Sequence, residues 1–340
     1  MAVHADRKIV LVTRQTRLAG LRRRFNTVAQ AKFYIQRAAD IDLMQRAPAG
    51  HGAVSQKKRS RRAAAPAADP FAEYEDEDQT YQDALVRLRD DLSRLLPVQP
   101  IDRDLLPNFV FGPGDIVVTA GQDGLVANTA KYAIAQLIVA VNPDPARFDG
   151  VLMPFRVDQA CDAVERGLAG TGSVRRVTLG EATLTNGQSM LAFNDFFIGC
   201  GSHVSARYRI EFEGRSEPQS SSGVLVSTGA GSTGWLSSIF NMAAGLSVVA
   251  PGGGAFEPEK LEWEDPRLLF VVREPFQSKS SAATMVSGMI PPSGELVLES
   301  QMPANGVIFS DGIEADRLEF NAGSVVRIKA AAQQATLAGA

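Results

Sequence analysis

The feature that most constrains the fold is residues 116–125, where the apolar run IVVTA breaks at the turn GQDG. The run predicts a buried strand, and the residues after it predict a helix that begins near Leu125. Gly121 and Gly124 give the turn backbone freedom and allow a phosphate to approach closely. Asp123 then lies at the carboxyl end of the strand, where open α/β sheets bind their ligands. Two interpretations stay open here: Asp123 belongs to a ligand site, or it is the N-cap of the helix.

A second strand along the chain also ends in a turn that carries a carboxylate. Residues 137–141 predict a strand, and the turn NPDP with Asp144 comes directly after it. A helix between the two strands makes them neighbours in a parallel sheet, so Asp123 and Asp144 are expected at the same edge. This coincidence favours a ligand site over a helix N-cap.

The composition narrows the class of partner. The chain has 340 residues, of which 45% are hydrophobic, and a formal net charge of −3. This length predicts two domains, and the near-neutral charge argues against nucleic acid as the main partner. No apolar run approaches the roughly 20 residues of a membrane helix, so no membrane association is expected. Cys161 and Cys200 are isolated, which argues against a zinc site or disulfides and favours a reducing, cytoplasmic location.

The pattern of predicted elements changes near residue 172. Before it, strands and helices alternate, with a strand at residues 8–13 and helices at residues 29–41 and 81–96. After it, short strands follow one another at residues 174–179, 190–198, 207–212, 224–227, 268–272, 296–299, 307–309 and 325–329. We therefore expect a fold of class α/β + β, in which a Rossmann-like α/β nucleotide domain (residues 1–155) precedes a mostly antiparallel β-sandwich domain (residues 156–330).

Two further segments are expected to lie outside the ordered core. Residues 47–78 combine a basic run, a stretch rich in alanine and proline, and an acidic run. Such a composition cannot bury enough apolar surface to offset the entropy of ordering, which predicts a disordered insert. Residues 331–340 are expected to form a flexible tail.

The second candidate site feature is the glycine-rich segment, residues 227–235 (STGAGSTGW), between a predicted strand and a predicted helix. Its backbone amides and hydroxyl groups are suited to an anion or a sugar, and Trp235 can stack on a ring. No lysine follows the last glycine, which excludes a Walker A phosphate loop.

Three motifs in this order resemble those of the NAD kinases: the GQDG turn at residues 121–124, the pair Asn194-Asp195, and the glycine-rich segment. The resemblance is closest to the divergent, mitochondrial-type branch of that family, since residues 142–147 (NPDPAR) and 273–275 (REP) also match it. It extends from the first predicted strand to the last, apart from the charged segment.

The resemblance implies an enzyme that transfers the γ-phosphoryl group of ATP to the 2′-hydroxyl of the adenosine ribose of NAD, making NADP. It also implies Mg²⁺ or another divalent cation with the ATP, and a homodimer or a higher homo-oligomer. In this family pattern Asp123 is the general base or orients the attacking hydroxyl, and Asn194 and Asp195 bind the NAD ribose. No metal ligand is assigned. The remaining candidates for substrate or nucleotide binding are Gly121, Gly124, Asp144, Thr228, Ala230, Gly231, Ser232, Thr233 and Trp235.

Departures from the family pattern leave two alternatives open. Gln122 stands where the second glycine of a GGDG turn is usual, Leu125 replaces a common threonine, and Trp235 replaces a common tyrosine. One alternative is a related kinase with a GGDG-like turn that acts on a lipid or sugar hydroxyl. The other is a catalytically inactive NAD(P)-binding sensor. Asp311 and Lys131 stay outside the predicted site, because Asp-Gly commonly forms a turn and lysine commonly lies at the surface.

Overall fold

Residues 7–46, 71–249 and 259–340 are described by the structure, a computed structural model. They form two β-sheets and a set of helices. No helix within these ranges is long and apolar enough to cross a membrane. The helices are α1 (Arg17–Phe25), α2 (Val28–Arg46), α3 (Ala72–Leu92), α4 (Asp123–Ala130), α5 (Ala160–Ala169) and α6 (Trp235–Val249).

The larger sheet is mixed, and the smaller sheet is antiparallel. The larger sheet contains the parallel strands β1 (Ile9–Thr13), β2 (Val98–Asp102), β3 (Ile116–Ala120), β4 (Leu137–Asn142) and β5 (Phe155–Arg156). It continues into β6 (Val174–Leu184), β7 (Ser189–Ala192), β9 (Ala206–Phe212), β10 (Arg215–Ser221), β14 (Leu296–Ser300) and β17 (Val325–Ala338). The smaller sheet consists of β8 (Asp195–Cys200), β11 (Val224–Ser227), β12 (Leu268–Val272), β13 (Ser287–Ile290), β15 (Gly306–Ser310) and β16 (Ile313–Glu319).

The parallel strands of the first half are buried on both faces. Nearly every residue of β1, β3 and β4 is buried, as expected for parallel strands that helices cover on both sides. Helix α4 packs on one face through Leu125, Val126 and Ala130. Helices α3 and α5 pack on the other face through Leu88 and Val164. This half is therefore a three-layer α/β domain.

The outer strands of the second half pack on one face only, whereas the central strands β8 and β11 are buried on both faces. Buried and exposed residues alternate along β9, which is typical of an antiparallel strand with one face on a core. The core between the two sheets includes Phe196 and Ile198 of β8, Tyr208 and Ile210 of β9, and Phe270 of β12. The structure is thus an α/β domain followed by an antiparallel β-sandwich, as the sequence predicts.

The two halves share one sheet through β17. This strand pairs antiparallel with β6 along two stretches and pairs parallel with β4 at Thr336 and Leu337. A boundary at residue 155 therefore separates strands that are hydrogen-bonded in one continuous sheet. The prediction of a flexible tail at residues 331–340 is wrong, because residues 334–338 pair with β6, Thr336 and Leu337 also pair with β4, and Leu337 is buried.

The predicted insert is only partly within the described residues. Residues 47–70 lie outside them, whereas residues 72–78 belong to α3, so the prediction of disorder is wrong for this acidic end. Glu77 is buried and forms ion pairs with Arg14 and Arg17. The acidic run is ordered because distant arginines compensate its charge, which composition alone does not reveal.

We expect Leu337→Ala to lower the free energy of unfolding by about 2 to 5 kcal/mol, because it leaves a cavity in the core under β17. Gln333→Ala, at an exposed position of the same strand, should change it by less than about 0.5 kcal/mol. Chemical denaturation of both variants measures the difference. Small and equal effects would mean that this end of the chain is a flexible tail after all.

Candidate active site

Asp123 lies at the predicted place, directly after β3 and at the start of α4. Its Oδ1 accepts a hydrogen bond of 2.8 Å from the backbone N–H of Leu152. The N-cap of α4 is Gln122, so the interpretation of Asp123 as the helix N-cap is wrong. Within the described part of the chain, Oδ2 of Asp123 makes no hydrogen bond. One oxygen is therefore anchored, and the other is available to a ligand.

The two glycines of the turn have different roles. A Cβ at Gly121 would lie 2.6 Å from Cδ2 of Leu125, so a larger residue there would displace this buried side chain. A Cβ at Gly124 would meet nothing within 4 Å, so the space in front of α4 is open. Neither glycine has a positive φ, so the turn does not need the wider backbone freedom of glycine. What the two positions provide is space, because they have no side chain. Leu125 itself is buried and faces the core.

Asp144 follows β4 at the same edge of the sheet, as predicted. Its backbone N–H donates to Oδ1 of Asn142 at 3.0 Å, and its carboxylate forms an ion pair of 3.2 Å with Arg147. Arg147 also lies 3.9 Å from Glu77 of α3. The charge of Asp144 is therefore already paired, in contrast to that of Asp123.

Asn194 and Asp195 lie at a break between the two sheets. The single strand predicted at residues 190–198 is two strands, β7 in the larger sheet and β8 in the smaller one. Asp311, in the turn between β15 and β16, accepts the backbone N–H groups of Phe193 (3.1 Å), Asn194 (2.6 Å) and Asp195 (3.3 Å). The Asp-Gly pair after a predicted strand is the sequence signal for this role, and an ordinary turn explains that pair equally well.

The glycine-rich segment packs directly against this break. The backbone N–H of Thr228 donates to the carbonyl oxygen of Asn194 at 2.9 Å, and its hydroxyl donates to the carbonyl oxygen of Phe193 at 2.5 Å. A Cβ at Gly231 would lie 2.1 Å from the carbonyl oxygen of Asn194, so only glycine permits this approach. The residues Ala230–Thr233 form one turn of 3-10 helix that leads into α6.

One apolar cluster brings the three predicted motifs together. It contains Leu125, which directly follows the GQDG turn, Leu152, whose N–H holds Asp123, Phe193 from the strand break, and Ala230 from the glycine-rich segment. Segments from both halves of the chain thus meet around one core. The carboxyl ends of the parallel strands lie at this junction between the two halves of the chain.

The end of the glycine-rich segment leads to the outer face of the smaller sheet. Ser232 donates within the segment, to the carbonyl oxygen of Gly229 at 2.7 Å, and Thr233 is exposed. Trp235 stacks on Phe197 of β8 with the ring centroids 5.7 Å apart. Trp235 is therefore held against a second aromatic ring.

A cavity of about 830 Å³ opens beside Trp235. Its wall includes Trp235, Phe197 and Phe309, and the last two rings stack with centroids 4.9 Å apart. The guanidinium group of Arg273 lies 5.1 Å from the Trp235 ring centroid. Neither Asp123 nor any other candidate carboxylate lines this cavity. The aromatic rings and the candidate carboxylates therefore form separate parts of the site.

Asp195 is buried at the start of β8, on the side of the strand that also carries Phe197. Burial, and then the negative charge of Asp311, raises the pKa of Asp195 to about 7. Burial also raises the pKa of Asp311, against the opposing effects of Lys131 and of the three backbone N–H groups. A carboxyl group that changes its charge near neutral pH is typical of a functional site.

Lys131 is buried at the end of α4, so the sequence-based expectation of a surface position is wrong. Its Nζ donates to Oγ of Ser310 at 2.9 Å and forms an ion pair of 3.4 Å with Asp316. The hydroxyl of Tyr132 donates to the same carboxylate at 2.5 Å. These contacts join α4 to the β15–β16 hairpin. No local sequence signal could reveal them, because Lys131 and Ser310 are 179 residues apart.

No family model matches the chain. In sequence it is similar to NAD kinases from Chlorobium luteolum (26% identical over 147 residues, 42% of this chain and 49% of that protein) and Chlorobium limicola (29% identical over 147 residues, 42% and 48%). A third relative, the NAD kinase from Chlorobium phaeobacteroides, is 25% identical over 174 residues, 50% of this chain and 55% of that protein. The chain spans about half the length of the curated relatives that it matches.

Two solved structures share the fold. One is yeast NADH kinase complexed with NADH, with a TM-score of 0.55 and 14% identity over 76% of this chain and 80% of that chain. The other is an NAD kinase from Archaeoglobus fulgidus in complex with ATP, with a TM-score of 0.50 and 17% identity over 75% of this chain and 89% of that chain. The fold is thus the one seen in NAD and NADH kinases, and the sequence is weakly similar to that of NAD kinases.

We expect Asp195→Asn to stabilise the protein at neutral and alkaline pH. Because the pKa of Asp195 is raised to about 7 on folding, the folded state binds its proton more tightly, and the stability of the wild type falls as the pH rises towards that value. The neutral amide removes this cost, so the gain in free energy of unfolding should grow with pH to at most about 4 kcal/mol.

Urea denaturation of the wild type and Asp195→Asn at about pH 5 and about pH 8 measures this gain. An equal difference at the two pH values would contradict a raised pKa for Asp195.

Proposed function

We propose that this protein is an NAD kinase, which transfers the γ-phosphoryl group of ATP to the 2′-hydroxyl of the adenosine ribose of NAD. The observation that carries the proposal is the anchored carboxylate of Asp123. It lies at the carboxyl end of a parallel strand, and its turn packs in one cluster with the strand break at Phe193 and with Ala230 of the glycine-rich segment. The similarity to NAD kinases in sequence and fold supports the same reaction.

In the proposed mechanism Asp123 orients the attacking hydroxyl and accepts its proton. The Leu152 N–H fixes Oδ1, which leaves Oδ2 for the hydroxyl of the acceptor. Phosphoryl transfer depends mainly on position and on neutralised charge, so one carboxylate at the nucleophile can serve as the base. The open space at Gly124 would let the transferred phosphate approach the start of α4, where the helix dipole favours an anion.

Asn194 and Asp195 are proposed to bind the ribose of the acceptor. Asn194 lies in the strand break and Asp195 directly follows it, and Asp195 shares one face of β8 with Phe197, which stacks on Trp235. An acceptor with its ribose at Asp195 would reach the aromatic cavity with one of its rings, since aromatic side chains favour stacking on planar groups. The guanidinium group of Arg273 beside Trp235 would favour an anionic or electron-rich group there.

ATP is the proposed phosphoryl donor, with Mg²⁺ or another divalent cation. In the described ranges no group of three or more His, Cys, Asp or Glu side chains is placed to hold a metal ion. Mg²⁺ commonly takes only one or two carboxylates when phosphates supply the other ligands, so it would arrive with ATP. Placement in the mitochondrial-type branch and in the cytoplasm stay predictions.

We expect Asp123→Asn to leave the fold intact and to lower the rate of NADP formation about 10²- to 10⁴-fold, because the amide cannot accept the proton. The assay supplies NAD, ATP and Mg²⁺ and detects NADP with an NADP-specific dehydrogenase. Asp90→Asn, an exposed position on α3, is the matched control and should keep the wild-type rate. Nearly full turnover by Asp123→Asn would contradict its role as the base.

The same assay separates the alternatives. A wild type that binds NAD without forming NADP would be the inactive sensor. Gln122→Gly and Leu125→Thr, which restore the usual family residues, would then be the first variants to test for activity. Transfer to a lipid or sugar hydroxyl in place of NAD would identify the related kinase.

We also propose that the protein forms a homodimer or a higher homo-oligomer through α6. This helix carries no charged residue between Trp235 and Val249, and its side chains Met242, Leu246 and Val248 are exposed by 47%, 59% and 83%. Apolar side chains grouped on one exposed helix favour an interface between protein chains.

We expect Leu246→Glu to shift the protein towards the monomer, because a charge in an apolar interface loses its hydration without a partner. Val110→Glu, an equally drastic change at an exposed valine far from α6 in sequence, should leave the assembly unchanged. Light scattering coupled to size-exclusion chromatography measures the mass. A monomeric wild type would contradict the proposal.

A further inference from the structure

Asp311 occupies an unusual place for an acidic side chain. It has a left-handed backbone, with a φ of 53°, and the next residue, Gly312, has a φ of 71°. Because β15 pairs with β8 up to Ser310 and Phe196, the Asp311 carboxylate lies beside the strand break. There it accepts three consecutive N–H groups, those of Phe193, Asn194 and Asp195.

The strand break needs these acceptors. β7 ends at Ala192 and β8 begins at Asp195, so the N–H groups between them lie outside both ladders. Buried N–H groups without partners are costly, and a carboxylate can satisfy several of them in strong, charge-assisted hydrogen bonds. The backbone N–H of Asp311 donates in turn to the carbonyl oxygen of Asp195 at 2.9 Å. Asp311 is thus hydrogen-bonded to the strand break through both its carboxylate and its backbone N–H.

The hairpin that carries Asp311 is fastened to the other half of the site. Lys131 and Tyr132, at the end of α4, contact Ser310 and Asp316 on either side of the turn. The first residue of α4 is Asp123. The hairpin therefore links the helix that begins at the candidate base to the break that carries the candidate ribose ligands.

We propose that Asp311 is a positioning residue, which fixes the backbone of Asn194 and Asp195 in the geometry that binds the acceptor ribose. This inference rests on the proposed function. Asp311 acts through its three backbone contacts, and no contact between its carboxylate and a substrate is required. The charged side chains that face it are Asp195 from β8 and Lys131 from α4.

The test is Asp311→Asn, which keeps the size of the side chain but turns one acceptor oxygen into an NH₂ group. That group meets a backbone N–H, so at least one of the three hydrogen bonds is lost. We expect the KM for NAD to rise about 10- to 100-fold, the equivalent of one charge-assisted hydrogen bond. The kcat should change much less than KM, because Asp123 is held by a different loop.

Asp316→Asn is the matched control. It lies in the same hairpin and loses charge contacts to Lys131 and Tyr132, but it does not touch the strand break. We expect Asp316→Asn to lower the thermal stability and to raise the KM for NAD by less than about threefold, because Asp316 does not position the backbone of Asn194 and Asp195. Equal rises in KM for the two variants would overturn the proposal, since general loosening of the hairpin would then explain both.

Hydrogen exchange gives a readout that does not depend on turnover. In Asp311→Asn the amides of residues 193–195 should exchange at least about tenfold faster than in the wild type, and in Asp316→Asn they should not. If the wild type binds NAD but forms no NADP, the proposed function fails, and the exchange rates with the Kd for NAD still decide the role of Asp311. Unchanged exchange or an unchanged Kd in Asp311→Asn would overturn it.

If Asp311→Asn does not fold, Asp311→Glu serves in its place. It keeps the negative charge but moves the oxygens by one methylene, so the same rise in KM is expected. A Glu variant with the wild-type KM and the wild-type exchange rates would show that negative charge alone suffices, and the proposed positioning would be wrong.

Discussion

Carboxylates that accept backbone N–H groups hold the loops of this protein in place. Asp123 does so for the loop after β4, and Asp311 does so for the break between β7 and β8. Glu217 does the same in the sandwich, where it accepts the N–H groups of Thr284 and Met285. An N–H group outside a ladder must find a partner when it is buried, and a carboxylate can serve several at once. The shape of the candidate site therefore depends on charges placed far away in sequence.

Close backbone contact is the second constraint on the site. A Cβ at Gly229 would lie 1.8 Å from the carbonyl oxygen of Glu262, so the glycine-rich segment is packed tightly on this side too. Two hydroxyl groups of this segment donate hydrogen bonds to backbone carbonyl oxygens. Ser227 donates to the carbonyl oxygen of Thr228 at 3.0 Å, and Thr228 donates to that of Phe193 at 2.5 Å. These side chains thus hold the shape of the segment and its place against the strand break, whereas Trp235 lines the cavity.

The two halves are joined by contacts that cross the whole chain. β17 adds the last strand to the sheet begun by β1, β3 and β4, and Lys131 ties α4 to the β15–β16 hairpin. Arginines near the amino terminus pair with the acidic run of α3, where Arg14 and Glu77 form an ion pair of 3.0 Å. A single fold results in which the candidate carboxylate and the candidate ribose ligands lie on different halves.

The sequence by itself determined the most apolar strands, the fold class and the three motifs, because apolar runs, glycine turns and their order are local properties that the chain carries wherever it folds. It did not reveal β2, β5, β10, β13 and β16, and it joined β7 and β8 into one strand. It placed Asp123 at a strand end correctly, yet it left open whether this residue is an N-cap. Only the tertiary structure decided that question, as well as the burial of Lys131, the ordered strand after residue 330 and the role of Asp311. Each of these depends on a partner distant in sequence, and no pattern of neighbouring residues contains that partner.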